Sequence, residues 1–221
     1  MRYLIHACPQ RAWYVSGYMI PEMKRQGIPE EEIEVWMDSN RDGNLISCMK
    51  SFEDSGKRDG GTWHIQDDAI LASNFAEKTR EHDEGIVCAF GRNEWQLLTP
   101  MSGIVPTVFM WHSFQCIRIP DKIAGECAAW FFEDAAYREV YRQNVEENKY
   151  DDSFWYDFMC EKHLDMRVLN LEPNIAEHGD GLLGGSVINQ EREVWARSSY
   201  WNDDEAFKRA QDKVKELRPN G

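Results

Sequence analysis

Gly61-Thr62-Trp63-His64-Ile65-Gln66-Asp67-Asp68 reads as a strand that runs straight into two acids. Its centre is rich in strand formers, with glycine on one side and carboxylates on the other. Upstream, Tyr3–Ala7 is a short apolar strand, and Cys8-Pro9-Gln10-Arg11 after it cannot continue a helix or a central strand. A helix is predicted from about Trp13 to Gln26, with Gly27 as its C-terminal stop. Ile33–Met37 is the second strand and ends on Asp38. Strand, helix, strand, and then a strand ending in acids is the opening of a parallel sheet of the nucleotide-binding kind.

The rest of the chain continues the alternation. Residues 38–61 hold many Asp, Asn, Ser and Gly around Leu45, Ile46, Met49 and Phe52, which predicts a short helix within mobile loops. Ser73 or Asn74 can cap a helix carrying Phe75 to His82, and Gly85–Phe90 is a fourth strand. Ile104–Trp111 and Cys116–Ile119 suggest a hairpin or crossing strands. Pro120-Asp121 opens a helix through Phe132, with a second helix or a continuation to about Glu147. Asp151–His163 is another helix, and Arg167–Leu171 a late strand leading through Pro173 to Ala176-Glu177-His178-Gly179-Asp180. Phe207, Ala210, Val214 and Leu217 recur at spacings of three and four, so Asp203–Leu217 is an amphipathic packing helix. The fold class read from this order is α/β: one Rossmann-like domain over residues 1–200, with a mixed, mostly parallel sheet flanked by helices. Residues 201–221 form a C-terminal packing helix and tail.

Bulk composition narrows the function. A chain of 221 residues, 42% hydrophobic and 29% charged, is long enough to bury one full core. No window approaches the roughly 18 apolar residues of a membrane span, and the N-terminus does not read as a signal peptide, so a cytoplasmic location is expected. The six cysteines, at 8, 48, 88, 116, 127 and 160, form no CxxC pair, and are read as reduced, buried hydrophobes. A formal charge of −14, from 39 acidic and 25 basic residues, repels nucleic acid and anionic membrane at long range.

Three constellations carry candidate chemistry. Asp67 and Asp68, at the carboxyl end of a buried strand, repel each other and call for a cation; a hard divalent ion suits such oxygen ligands and would hold a diphosphate. The same pair can equally open a loop and cap the next helix. His178 precedes the glycine-rich run Gly179-Asp180-Gly181-Leu182-Leu183-Gly184-Gly185-Ser186. A histidine there can bind a metal while the backbone around Gly184 and Ser186 closes over phosphates, or it can be structural. Asp151 and Asp152 open a helix, either as an N-cap or as a general base for an acceptor hydroxyl.

Taken in order, Tyr3–Arg11, Ile33–Asp38, Gly43–Phe52, Trp63–Leu71, Asp151–His163 and Pro173–Ser186 resemble the segments of small GT-A glycosyltransferases. The resemblance is closest to the lipopolysaccharide-modifying type and its short phage-like relatives. It implies a GT-A fold and a metal-dependent transfer from a nucleotide sugar, with uridine as the default base and Mn²⁺ or Mg²⁺ as cofactor. Ala7, Cys8, Pro9 and Arg11 would line the nucleotide, and Asp38 would contact its base or ribose. Asp68 would hold the metal, with Asp67 reaching it through the ribose or a water, and His178 would complete the coordination. Asp152, or else Asp151, would deprotonate the acceptor and invert the anomeric carbon, a retaining route remaining open. The acidic motif is Gln66-Asp67-Asp68, one carboxylate fewer than the family's commoner forms, and Trp111–Trp130 lacks a glycine-rich acceptor signature. The acceptor classes are a glycan, a protein, a small molecule or a modified DNA base, the last disfavoured by the −14 charge. Rival readings are a non-catalytic nucleotide-sugar or carbohydrate-binding protein, a metal-dependent phosphohydrolase, and a nucleotidyltransferase. The last should carry a glycine-rich loop after its first strand, where this chain has Cys8-Pro9-Gln10-Arg11.

Overall fold

A strand that is apolar on both faces must be covered on both faces, and β1 (Arg2–Ala7) is such a strand: Tyr3, Leu4, Ile5 and Ala7 are all buried. In the computed structural model, which describes residues 1–90, 115–133, 151–163, 166, 168–184 and 201–218, β1 lies inside a six-stranded sheet. β2 (Ile33–Met37) and β3 (Gly61–Gln66) flank it, both parallel to it. Beyond β3 come β6 (Cys116–Pro120), β5 (Ile86–Cys88) and β7 (Val168–Asn170), in the order β2-β1-β3-β6-β5-β7. β6 is antiparallel to both neighbours, and β7 is parallel to β5. The mixed, mostly parallel α/β class read from the sequence holds. A second sheet, of two antiparallel strands, pairs β4 (Ala69–Leu71) with β8 (Ala176–His178).

The helices divide between the two faces of the large sheet. One face buries Tyr3, Ile5, Trp63 and Ile65 under α1 (residues 12–25), α3 (Phe75–Glu81) and α7 (Asp204–Leu217). The other buries Cys88, Ile117 and Ile119 under α2 (Asn44–Ser55), α4 (Asp121–Glu133) and α5 (Asp151–Lys162). Where α2 meets α4 the backbones touch: a Cβ on Gly125 would lie 2.7 Å from the Gly56 Cα, so neither position accepts a side chain without parting the helices. α1 widens to a π-helix over Val15–Met19, just ahead of Pro21, which has no N–H for the helical ladder. Gly17 in that segment leaves room for Leu217, and Ala206 and Ala210 enter the same core cluster, so α7 packs on the main body.

Several expectations change in detail. The helix within residues 38–61 is not short but has 12 residues, because Leu45, Cys48, Met49 and Phe52 form one buried stripe. β4 and β8 form in stretches to which no strand was assigned, after Asp68 and after Pro173. The supposed glycine-rich loop after His178 starts as a helical turn, α6 (Asp180–Leu183), ended by Gly184 at φ 87°. Asn74 is the N-cap residue of α3 but makes no side-chain cap bond, while the Ser73 N–H donates to Asp203 at 2.7 Å. Ile104–Trp111 and the helix to Glu147 fall outside the described residues.

Two histidines sit between β1, β3 and α2. His6 Nε2 and His64 Nδ1 are 2.9 Å apart, and the Phe52 ring meets His64 edge-on at 4.7 Å. His64 Nε2 has no partner among the described residues. Burial, with Arg2 adding to it, lowers His6 to about 4, and burial, His6 and Arg2 push His64 well below 6.5. Unfolded histidines protonate near 6.5, so between that pH and about 4 the unfolded chain binds more protons and the folded state loses ground as pH falls. Urea denaturation at pH 7.5 and pH 4.5 is expected to show the wild type losing on the order of 5 kcal/mol more than a His6→Gln/His64→Gln double variant, about half from each histidine.

Candidate metal centre

Parallel strands deliver their following loops to one rim of a sheet, and β1 and β3 both end there. After β1 the Cys8 N–H donates to Asp67 Oδ2 at 2.7 Å, and Pro9–Arg11 makes one 3₁₀ turn. Proline fits the first position of that turn, where its missing N–H costs nothing. After β3, Asp67 and Asp68 form a two-residue turn into β4. The pairing of β4 with β8 sets Ala69 opposite His178, and the Gly179 N–H donates to Asp68 O at 2.7 Å. The next residue, Asp180, opens α6. Register thus brings Asp68, His178 and Asp180 side by side from distant parts of the chain.

Arg11 lies at the centre. Its Nη1 is 2.6 Å from Asp68 Oδ2 and 3.4 Å from Asp67 Oδ1, and its Nη2 is 2.8 Å from Asp180 Oδ1. His178 Nε2 is 3.6 Å from Asp68 Oδ2, and its Nδ1 is 3.6 Å from Asp180 Oδ2. Gln115, fully buried at the head of β6, donates from Nε2 to Asp68 Oδ1 at 2.7 Å, and its Oε1 has no partner among the described residues. Burial pushes Asp68 up, but His178, Arg11 and Gln115 outweigh it and hold the carboxyl well below its usual range. Burial, with Asp68 beside it, raises Asp67 to about 6, and the same two causes raise Asp180. One guanidinium faces three buried carboxylates, so the cluster is short of positive charge.

That shortage suits a cation. One ligand atom from each of Asp68, His178 and Asp180 lies within 4.8 Å of the others. Two carboxylates and an imidazole fit a divalent ion that accepts oxygen and nitrogen together. No protein-family model matches the chain, and no curated protein matches it. Among solved structures, a Bacillus anthracis protein assigned as a glucose-1-phosphate thymidylyltransferase, crystallised with a sucrose, is similar over 97% of this chain and 95% of that one. The two chains are 10% identical, with a TM-score of 0.43.

The sequence-read site residues fall into three groups. Ala7, Cys8, Pro9, Arg11, Asp67, Asp68 and His178 come together at the rim, and Gly184 ends the helical turn that follows His178. Asp38 sits beside them, its N–H donating to Ala7 O at 2.8 Å. Its two carboxylate oxygens, however, accept the N–H groups of Asp42 and Gly43 and so hold the loop ahead of α2. Asp151 and Asp152 are the first described residues of α5, and their side chains, like Ser186, lie outside the described residues. Asp180 and Gln115 were not singled out. The motif His178-Gly179-Asp180 was the available sign for Asp180; Gln115 had none.

Gly179 is where this geometry is most exposed to a small change. A Cβ there would lie 2.4 Å from the Asp68 carbonyl oxygen, inside any tolerable contact and against backbone that cannot rotate away. Gly179→Ala is expected to cost about 1–3 kcal/mol of stability, as overpacking against a fixed neighbour does. Chemical denaturation checks it; an unchanged midpoint and slope would show that the β4–β8 contact yields freely.

Proposed function

We propose that this chain is a metal-dependent glycosyltransferase that takes a sugar from a nucleotide-sugar donor, most simply a uridine diphosphate sugar, and passes it to an acceptor hydroxyl. The observation that carries the reading is the buried Asp68–His178–Asp180 cluster at the carboxyl rim, beside the turn that follows β1. Asp68, His178 and Asp180 would hold Mn²⁺ or Mg²⁺, the imidazole favouring Mn²⁺. When bound, the ion supplies positive charge for the diphosphate leaving group.

The chain's own residues do the rest. Ala7, Cys8, Pro9 and Arg11 line the nucleotide, with Arg11 offering its fork to phosphate oxygens. Asp67, held by the Cys8 N–H, fixes that turn against β3 and faces the ribose. Asp38 shapes the neighbouring loop on which the base rests. The backbone around Gly184 and Ser186 covers the phosphates. Asp152, or else Asp151, takes the proton from the acceptor hydroxyl. The acceptor oxygen then bonds to the anomeric carbon as the bond to the diphosphate breaks, with inversion. No helix among the described residues is long and apolar enough to cross a membrane, and the acceptor in this reading is a glycan, a protein or a small molecule.

Thermal melting with Mn²⁺ and a panel of nucleoside diphosphates and nucleotide sugars tests the proposal. A ligand at a hundredfold excess over its Kd adds about 2.7 kcal/mol, which for a chain of this size raises Tm by roughly 5–10 °C. The shift is expected to need metal and one nucleotide sugar together, and to vanish in Asp68→Asn, His178→Ala and Asp180→Asn. Asp152→Asn should keep the shift and lose transfer. No shift with any nucleotide would sink the donor site. Pyrophosphate release from a nucleoside triphosphate and a sugar 1-phosphate would replace the reading with nucleotidyl transfer.

A further inference from the structure

We propose that Arg11 is a tethered stand-in for the metal: its guanidinium occupies Asp68 and Asp180 until a diphosphate draws it away, so that cation and diphosphate load the site together. This rests on the metal-dependent reading above and adds an order and a coupling to it.

The argument is one of shared ligands. Arg11 reaches Asp68 at 2.6 Å and Asp180 at 2.8 Å, and these are two of the three candidate metal ligands. The overlap extends to a single atom. Asp68 Oδ2, the oxygen that faces His178 Nε2, is also the one Arg11 Nη1 holds. A divalent ion drawn to that oxygen would press against a buried cation in a place where like charges are weakly screened. The metal alone must therefore displace the guanidinium and leave it unpaired, which is costly for a buried charge.

A diphosphate removes that cost. Arg11 closes a single turn after β1 rather than lying within a strand, so its side chain can swing without disturbing the sheet. The planar fork that now spans two carboxylates matches two phosphate oxygens equally well. Each ligand thus improves the site for the other, and by linkage the gain is reciprocal. Until both arrive, Arg11 keeps three acids from repelling one another apart.

Titration of Mn²⁺ alone, followed by the electron-paramagnetic-resonance signal of the free ion, separates this role from a merely structural one. Removing a structural residue would loosen the site and weaken metal binding. Removing a stand-in should do the reverse. Arg11→Met is expected to bind Mn²⁺ about tenfold tighter than the wild type and to lose the further tightening that UDP gives the wild type. Arg11→Lys keeps one charge but cannot bridge two carboxylates. It covers the case in which the methionine variant does not fold, and should bind Mn²⁺ about threefold tighter. Mn²⁺ binding no tighter in either variant overturns the inference. If the wild type then binds Mn²⁺ and His178→Ala does not, the metal reading survives alone. If neither the wild type nor the Arg11 variants bind Mn²⁺, both fall.

Discussion

One guanidinium held among three buried carboxylates is the constraint on which the rim of this fold depends. Arg11 joins the turn after β1, the turn between β3 and β4, and the start of α6, pieces that the Cys8–Asp67 and Gly179–Asp68 bonds also draw together. A buried acid left without a partner would cost several kcal/mol or take up a proton. With Arg11 in place, Asp68 stays ionised although fully enclosed, while the excess negative charge falls on Asp67 and Asp180, both raised. The junction is thus stable and under electrostatic tension at once.

Backbone contacts carry that arrangement into the two-stranded sheet. β4 and β8 are three residues each, distant in sequence and too short to stand as a two-stranded sheet in isolation. They are held instead by the Gly179 bond to Asp68 O and by core contacts of Ile70, Leu71 and Ala176. Glycine at 179 permits an approach that no side chain would, and this approach holds the His178 ring with Nε2 toward Asp68 and Nδ1 toward Asp180. Precision in the site comes from main chain, which cannot rotate away as a side chain can.

The same facts explain what was legible in the sequence. β1, β2 and β3 announced themselves through buried or β-branched runs that end on polar turns, and α7 through its 3–4 periodicity. Three-residue strands have no period to detect, so β4 and β8 were read as connections. Asp180 was overlooked for a related reason: the motif His178-Gly179-Asp180 was visible, but its partnership with Asp68 follows from a strand register that the motif does not encode. Asp38 was legible as a strand-terminal acid, but its use of both oxygens on Asp42 and Gly43 depended on a loop with Arg41 and Gly43 at positive φ. α2 was underestimated because the polar residues around it masked a continuous buried stripe.

Asp180 also answers the departure noted in the acidic motif. Gln66-Asp67-Asp68 offers one carboxylate fewer than the forms it resembles, and Gln66 sits at the end of β3 rather than in the cluster. The second carboxylate of the candidate cluster arrives instead from beyond β8, next to the histidine, so Asp68 and a distant residue together make the set. Charge on the whole chain bears on what can approach it. At −14, the protein repels a free diphosphate and attracts cations at distances within the roughly 8–10 Å over which salt leaves fields unscreened. A nucleotide already complexed with a divalent ion carries less negative charge and meets less repulsion. Under the proposed reading, the global field and the local guanidinium would therefore favour the same event: entry of cation and diphosphate as a pair, with Arg11 passing from one set of oxygens to the other.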